Sequence, residues 1–368
     1  MSKERINALR KNFTSNYEAV LITNQKNVRY LCGYTGDNGY LLVTGSKAVF
    51  FTDFRFQEQS EKELNGCAEL AIVSGNQTAF IFNKINSLKI KNLGIEKSLD
   101  LNQYIDFINN FKGSKLIPTE NLVEALRQYK DEEEIEDLQK AFDIADASLE
   151  MLLEDIKLGM TEIEVAALLE FYMKVNGSEG VSFDTIVAAG PNASCPHHQP
   201  TDKKIEKGEM VKIDFGATYH GYHSDMTRTF FIGKATSKFK KLYATVLKAH
   251  DDAVKAIKLG KPSKDIDAVA RKVISDAGYA KNFGHGLGHG FGLEIHEEPR
   301  FSPLAKANIE VGQTYTVEPG IYLPGWGGIR IEDSYLITKN GVHKFTNFPN
   351  ELIELDLQSV EEAADEIE

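Results

Sequence analysis

The sequence is poor in cysteine and tryptophan, and acidic side chains outnumber basic ones. Its three cysteines, Cys32, Cys67 and Cys195, are far apart and form no CxxC pair, which argues against a disulfide framework or a thiolate zinc site and is typical of a reducing compartment. With 42 basic and 54 acidic side chains among 368 residues, the formal charge of −12 argues against nucleic acid and anionic membranes as partners.

Several functional motifs are absent as well. No apolar run approaches the roughly 18 residues that a membrane span needs, and the first residues lack the apolar core of a signal peptide, so we expect a cytoplasmic protein. The glycine-rich stretch 284–292 contains no GxGxxG, and GxxxxGK[ST] does not occur, which argues against nucleotide binding. HExxH is missing, which excludes a zincin motif.

Hydrophobic patterning predicts two domains, as expected at roughly 150 to 200 residues per domain. The first part alternates short apolar runs with helical patterns, which predicts an α/β domain with a mixed sheet and flanking helices. A stretch rich in charged residues around 126–142 marks the transition between the two domains, so we place the domains at 1–126 and 127–368. The strand-like runs of the first domain lie at residues 17–23, 39–44, 47–53 and 91–96.

The second domain is predicted to be α+β. Apolar residues recur at helical spacing from Ile135 to Leu152, and a second helix is delimited by a capping box, Thr161 and Glu164, and by Gly177 after its end. The acidic tail at 361–368 is expected to fray. Strand-like segments lie at 182–189, 210–216, 226–232, 314–323 and 329–338.

Four acids stand among strand-forming residues: Asp214 in KIDFG, Asp225 in HSDMTR, Glu318 in TYTVEPGIY and Glu332 in GIRIEDSY. A bare charge in such a setting costs several kcal/mol to bury, and a single case would favour a structural salt bridge. Four carboxylates in one place would repel one another and take up protons unless cations lay between them. Two divalent ions would balance the charge of four carboxylates, and a metal pair of this kind can polarise a carbonyl and activate water.

Histidines are concentrated in GHGLGHGFGLEIHE, residues 284–297, where His285, His289 or His296 can supply a nitrogen ligand; the alternative is that they are hydrogen-bonded loop residues. The glycines allow the backbone to approach this site closely. His197, in the proline-flanked loop SCPHHQPTD, is available to a substrate. A nucleophilic Cys195 with a neighbouring histidine as base is disfavoured, because adjacent loop residues seldom reach each other in the required geometry.

The sequence motifs around these acids and histidines resemble those of the metallopeptidases of the methionine aminopeptidase, aminopeptidase P and prolidase group, which have the pita-bread fold. The resemblance is strong over 127–350 and implies an α+β pita-bread catalytic domain. GYTGDNGYLLVT and FFTDFRFQEQ look like the creatinase-type N-terminal domain of Xaa-Pro peptidases. The metal ligands that the resemblance implies are, in chain order, Asp214, Asp225, His289, Glu318 and Glu332.

The resemblance also implies a mechanism, in which water activated by two metal ions attacks the carbonyl before proline. Glu318 would take its proton, while His197, His285 and His296 contact the substrate and His296 or His197 stabilises the oxyanion. Oxygen-rich coordination with one imidazole favours Mn²⁺, with Co²⁺ or Zn²⁺ as alternatives. Relatives are usually dimers, so a homodimer is expected.

Substrate length divides the family. We expect an Xaa-Pro aminopeptidase acting on peptides with proline second, because no insertion between HEEPRF and VEPG would build a wall that blocks longer chains. The alternative is a strict Xaa-Pro dipeptidase (prolidase), in which Arg300 binds the substrate carboxylate. Trp326 is a candidate apolar face for the proline ring or for a neighbouring side chain. Relatives that serve only as binding modules typically lose metal ligands, and no ligand is lost here.

Overall fold

The computed structural model describes residues 2–359, so the acidic tail at 361–368 lies outside the described residues. The chain divides into two compact units, Met1–Arg127 and Gln128–Glu368. Among the described residues, no helix combines the length and the apolar character that crossing a bilayer requires.

The first unit contains a six-stranded mixed sheet with the strand order β4-β3-β2-β1-β5-β6. Its central strand β1 pairs antiparallel with β2 and parallel with β5. The α/β prediction is thus confirmed, although β4 and β6 were missed. The elements are α1 (Ser2–Lys11), β1 (Ala19–Ile22), α2 (Gln25–Cys32), β2 (Tyr40–Thr44), β3 (Ala48–Asp53), α3 (Gln57–Glu63), β4 (Glu69–Val73), α4 (Gln77–Ser87), β5 (Asn92–Glu96), α5 (Leu101–Asn110), β6 (Lys115–Thr119) and α6 (Glu124–Arg127).

The second unit begins with two helices and continues with strands that form several small sheets around two further helices. Its mixture of helices and antiparallel strands confirms the α+β prediction. The elements are α7 (Glu132–Asp155), α8 (Glu162–Val175), β7 (Gly180–Val181), β8 (Ile186–Ala189), β9 (Met210–Phe215), β10 (Ala217–Tyr219), β11 (Tyr222–His223), β12 (Met226–Ile232), α9 (Ser237–Ala256), α10 (Ser263–Asp276), β13 (Gly288–Gly290), β14 (Glu297–Phe301), β15 (Thr314–Val317), β16 (Gly320–Leu323), β17 (Gly327–Arg330), β18 (Asp333–Thr338), β19 (Gly341–Lys344) and β20 (Glu354–Leu355).

Strands β8, β9 and β12 lie between two apolar layers. In β9, Val211 and Ile213 pack in the apolar cluster that includes α7 and α8, whereas Met210 belongs to the cluster that includes α9 and α10. Because strand residues alternate between faces, Lys212 and Asp214 project from the same face as Met210. This alternation positions polar side chains on the α9/α10 side of the sheet.

Two predicted strands are interrupted at an acid. Residues 314–323 form β15 and β16 with Glu318 and Pro319 between them, and residues 329–338 are divided between β17 and β18 around Ile331 and Glu332. Strand β15 pairs with β18, whereas β16 pairs with β17, so the chain passes from one sheet to another at these acids. Both carboxylates therefore lie where the ladders end rather than inside a continuous strand.

Helix α8 has the ends that the sequence predicts. The Thr161 hydroxyl accepts a hydrogen bond from the Glu164 backbone N–H at 3.1 Å, and the Glu164 carboxylate accepts one from the Thr161 N–H at 2.7 Å. Gly177, with φ of +100°, follows the C-cap Asn176. Glycine tolerates this left-handed backbone without the strain that a Cβ adds.

Replacing Thr161 with alanine removes the hydroxyl that caps α8, so we expect the free energy of unfolding to fall by about 1 kcal/mol. Chemical denaturation measures the loss. Thr161→Ser is the control, because it keeps the hydroxyl and should retain most of the stability. An equal loss in both variants would contradict the capping role.

Candidate active site

The five predicted metal ligands line a single cavity of about 270 Å³: Asp214, Asp225, His289, Glu318 and Glu332. They come from distant parts of the second unit. Asp214 lies in β9 and Asp225 directly precedes β12, two strands that pair antiparallel with Asp214 opposite Thr227. His289 lies in β13, and the two glutamates lie at the strand breaks. The cluster that the sequence analysis expected is therefore present as a geometric arrangement.

His289 is oriented for ligation. Its Nδ1 donates to the Gly290 carbonyl at 3.0 Å, which leaves the Nε2 lone pair directed at the acids. Nε2 lies 3.5 Å from Asp225 Oδ2 and 3.7 Å from Glu318 Oε1. One potential ligand atom from each of Asp225, His289 and Glu332 lies within 4.8 Å of the others. This spacing suits three ligands of one ion.

Burial and mutual repulsion set the protonation of these groups. Burial, followed by the neighbouring carboxylates, raises the pKa of Asp225 and of Glu318 well above the usual range. Burial and the charge of Asp214 raise the pKa of Glu332 to about 8. Burial, with His296 nearby, lowers the pKa of His289 to about 3, so its imidazole is neutral at physiological pH. The acids therefore require positive charge before they can all ionise.

Charge compensation differs between the four cavity carboxylates and the neighbouring carboxylate of Asp333. Asp333, which follows Glu332, is surrounded by cations: Arg228 Nη2 at 2.6 Å, Lys344 Nζ at 2.9 Å and His250 Nε2 at 3.2 Å. Burial alone would raise the pKa of Asp333, but the charge of Arg228 and its other partners hold it well below the usual range. The four cavity carboxylates have no comparable set of cations among the described residues that line the cavity.

A single guanidinium, that of Arg330, lies among the cavity acids. It donates to Asp214 through Nη2 and to the Tyr322 hydroxyl at 2.9 Å, while its Nε donates to Thr227 Oγ1 at 3.0 Å. Asp214 Oδ1 is buried and has no hydrogen-bond partner among the described residues. A buried, unpaired carboxylate oxygen in a cluster of four acids and one neutral imidazole fits the ligand preferences of divalent cations.

Arg330 and Thr227 were missed in the sequence, although a signal exists. Each stands two residues from a ligand, in Arg330-Ile-Glu332 and Asp225-Met-Thr227, and extended chain places such pairs on one face. Thr227 Oγ1 donates to Glu332 Oε2 at 2.6 Å, so it is a second contact to the ligand shell.

The substrate-side residues border a second cavity of about 280 Å³, which shares His197, His289, His296, Glu318 and Arg330 with the first. We call the two cavities together the cleft. The second cavity adds His285 and Arg300. Except for Trp326, the residues proposed from the sequence for catalysis, substrate binding and metal ligation therefore line the cleft.

The histidines differ in their freedom to contact a substrate. The rings of His296 and His289 lie 4.4 Å apart in an edge-to-face arrangement, and burial, then Arg300, lowers the pKa of His296. His285 donates from Nδ1 to the Gly286 carbonyl at 2.8 Å and lies 3.0 Å from the Tyr322 hydroxyl through Nε2. Both ring nitrogens of His285 are thus engaged by protein groups.

Arg300 lies opposite His289 in the β13–β14 pair, so the two side chains project from the same face. Its side chain is 50% exposed, and its Nε lies 3.3 Å from Glu298 Oε1. Trp326 does not line the cleft; it packs near Phe239, with Lys238 Nζ 4.2 Å from its ring centre. Of the two roles predicted for Trp326, packing against a neighbouring side chain agrees with these contacts, whereas a face for the proline ring is wrong, because its turn directs the indole towards α9.

Comparisons with known proteins agree with this arrangement. The profile of Metallopeptidase family M24 matches residues 136–339, and that of the Creatinase/Prolidase N-terminal domain matches residues 5–129. The Xaa-Pro dipeptidase of Pyrococcus horikoshii is 39% identical over 91% of this chain and 94% of its own. The solved Xaa-Pro dipeptidase from Bacillus anthracis is 40% identical, with a TM-score of 0.94 over 96% of this chain and 100% of its own. The X-Pro aminopeptidase from Thermotoga maritima is 36% identical, with a TM-score of 0.87 over 92% of this chain and 97% of its own.

Gly288 allows β13 to approach β15, since a Cβ at this position would lie 1.9 Å from the Thr316 carbonyl oxygen. We expect Gly288→Ala to push β13 away, displace His289 and lower the free energy of unfolding by roughly 1–3 kcal/mol. Thermal denaturation and elemental analysis would record the stability and the metal content. Gly284→Ala is the matched control, because a Cβ there meets nothing within 4 Å. Equal behaviour of the two variants would refute the role of close approach.

Metal binding should depend on pH through the cavity acids. Because the pKa of Glu332 is raised to about 8, the metal-free fold loses stability as the pH rises from the unfolded value near 4.5 towards 8. Metal binds the deprotonated carboxylates, so the increase in Tm caused by Mn²⁺ over a chelator should be larger at pH 8 than at pH 6. Differential scanning calorimetry at both pH values tests this. An equal increase would show that the acids are already ionised without metal.

Proposed function

The chain belongs to metallopeptidase family M24, and from this membership we propose that it is an Xaa-Pro dipeptidase, which cleaves the bond between a residue and a C-terminal proline. The observation that carries the proposal is the position of Arg300 in the cleft, opposite His289. A dipeptide bound with its scissile bond at the metal site has its carboxylate one residue away, where a guanidinium can bind it through charge-assisted hydrogen bonds. The Xaa-Pro dipeptidases among the relatives support the same assignment.

This proposal reverses the order of preference drawn from the sequence, which put the aminopeptidase first. The absence of a blocking insertion carried that preference, but a wall can also be formed by other elements. The aminopeptidase remains a second candidate for one structural reason: Arg300 is half exposed, so its end of the cleft is open to solvent. The Thermotoga maritima X-Pro aminopeptidase shares the fold at 36% identity.

We propose that two divalent ions, Mn²⁺ first and Co²⁺ or Zn²⁺ as alternatives, are held by the five ligands that line the first cavity. The support is the excess of buried carboxylate over cation and the unpaired Oδ1 of Asp214. When bound, such ions polarise the peptide carbonyl and acidify a water molecule. The proposed ligands are Asp214, Asp225, His289, Glu318 and Glu332.

The roles proposed for the remaining side chains follow from their places in the cleft. Glu318, whose pKa burial raises, takes the proton from the attacking water and passes it to the leaving proline nitrogen. His296 and the exposed His197 donate hydrogen bonds to the oxyanion that develops on the carbonyl. Through its contact with Tyr322, His285 supports the opposite side of the substrate pocket.

The location, assembly and domain boundary of the enzyme are proposed from its composition and its family resemblance. The net charge of −12 and the unpaired cysteines support a cytoplasmic location. A homodimer is proposed from the family resemblance, and the domain boundary between residues 126 and 127 is proposed from the change in charge pattern. The proposed binding partners are substrate peptides with proline as the second residue.

Removing the Arg300 cation tests whether the enzyme prefers dipeptides or longer peptides. We expect Arg300→Ala to raise the KM for an Xaa-Pro dipeptide roughly 10-fold or more, because a charge-assisted contact of about 1.5–3 kcal/mol is lost. A tripeptide extended beyond proline has no carboxylate at that position and should be cleaved poorly by wild type and variant alike. Steady-state kinetics on both peptides gives the comparison.

Lys306→Ala, which removes an exposed cation outside the cleft lining, is the control and should leave the dipeptide KM unchanged. Efficient cleavage of the tripeptide by the wild type, with an equal effect of Arg300→Ala on both peptides, would make the aminopeptidase the correct assignment.

A further inference from the structure

Buried polar side chains hold the backbone on both sides of His197. On the N-terminal side, the fully buried Lys212 donates from Nζ to the Cys195 carbonyl at 2.8 Å and to the Pro196 carbonyl at 3.3 Å. The Pro196 carbonyl also accepts from Arg330 Nη1 at 3.3 Å. The peptide that precedes His197 is therefore held by the Lys212 amine, whose pKa burial lowers to about 6, and by the Arg330 guanidinium.

A carboxylate holds the C-terminal side. Glu162, at the start of α8, is fully buried and lies 2.8 Å from His198 Nε2. Its second oxygen also accepts from Thr201, through the N–H at 3.0 Å and the hydroxyl at 2.6 Å. Its first oxygen accepts from the Ala189 N–H at 2.7 Å and from Asn192 Nδ2 at 3.0 Å. One side chain thus connects both ends of the segment 189–201.

The His197 side chain itself is exposed, and no hydrogen bond to its imidazole is present among residues 2–359. Its position in the cleft is therefore determined by the backbone on either side. Burial would raise the pKa of Glu162, but the hydrogen bonds from Ala189, Thr201 and His198 outweigh it and lower the pKa, so Glu162 is an anion. Because the two Glu162 oxygens accept hydrogen bonds from both ends of the segment 189–201, the geometry favours a positional role.

We propose that Glu162 and Lys212 are positioning residues that fix the segment 189–201 so that the His197 imidazole points into the cleft. This inference rests on the proposed function, in which His197 donates to the oxyanion. Neither side chain lines the cleft, and each acts through the backbone or through His198. Displacing a catalytic group by about 1 Å is enough to cost roughly 10²-fold in rate.

The test is Glu162→Gln. The variant keeps the size of the side chain, but its NH₂ group is itself a donor and faces groups that donate to the Glu162 carboxylate. We expect kcat/KM for an Xaa-Pro dipeptide to fall roughly 10²-fold, mostly in kcat, while metal content is retained because no proposed ligand lies in the segment. Glu164→Gln is the matched control on the same helix, since glutamine also completes a capping box. It should leave both kinetic constants unchanged.

A double-mutant cycle separates positioning from general damage. In a His197→Ala background, Glu162→Gln should change kcat/KM by no more than about twofold, because the group that it positions is gone. A full loss in that background would overturn the proposal. If Glu162→Gln does not fold, Thr201→Val removes one of the hydrogen bonds to Glu162 and takes its place in the same cycle.

Hydrogen–deuterium exchange gives a result that does not depend on activity. The amides of 189–201 should exchange faster in Glu162→Gln than in the wild type, with those of β9 unchanged. Unchanged exchange over 189–201 overturns the proposal whichever peptide the enzyme cleaves. Faster exchange in the variant, together with a wild type that cleaves no Xaa-Pro peptide, overturns the proposed function and supports the positioning role.

Discussion

Electrostatic repulsion among four carboxylates in one cavity is the constraint on which this active site depends. Asp214, Asp225, Glu318 and Glu332 share one cavity with a single guanidinium, that of Arg330. Burial and mutual repulsion raise the pKa values of Asp225, Glu318 and Glu332, which indicates that the protein alone does not compensate these acids. Asp333, one residue beyond Glu332, has three cationic partners and a lowered pKa. The contrast indicates that the cavity is built to take its missing positive charge from outside the chain.

The fold brings these acids together by ending strands early. Glu318 and Glu332 lie where the chain passes between sheets, and Asp225 lies between β11 and β12. At such breaks the backbone leaves the ladder and a side chain can turn towards the cavity. Gly288 complements this arrangement, because the absence of a Cβ lets the strand that carries His289 lie against Thr316. Local chain geometry thus determines the spacing of the ligands.

The sequence predicts what depends on local pattern and misses what depends on tertiary contact. The cap at Thr161 and the strand-forming residues around Asp214 are local signals, and both agree with the structure. The breaks at Glu318 and Glu332 could not be foreseen from strand propensity, because they result from a change of partner strand. Glu162 lies 27 to 39 residues from the groups that it binds, so only the folded chain reveals it. Trp326 shows the reverse error, in which residue type suggested a role that its position excludes.

The distribution of cations also bears on substrate length. Two arginines line the cleft, and Arg330 is committed to Asp214, Thr227 and Tyr322. Among residues 2–359, the ion pair of Arg300 is with Glu298 on its own strand, at 3.3 Å and with both side chains at least half exposed, a geometry that contributes little to stability. A substrate carboxylate would compete for that guanidinium at small cost, whereas an uncharged peptide extension would gain nothing from it. Among the described residues that line the cleft, Arg300 is therefore the arginine that remains available to a substrate, which agrees with the proposed preference for a substrate that ends in a carboxylate.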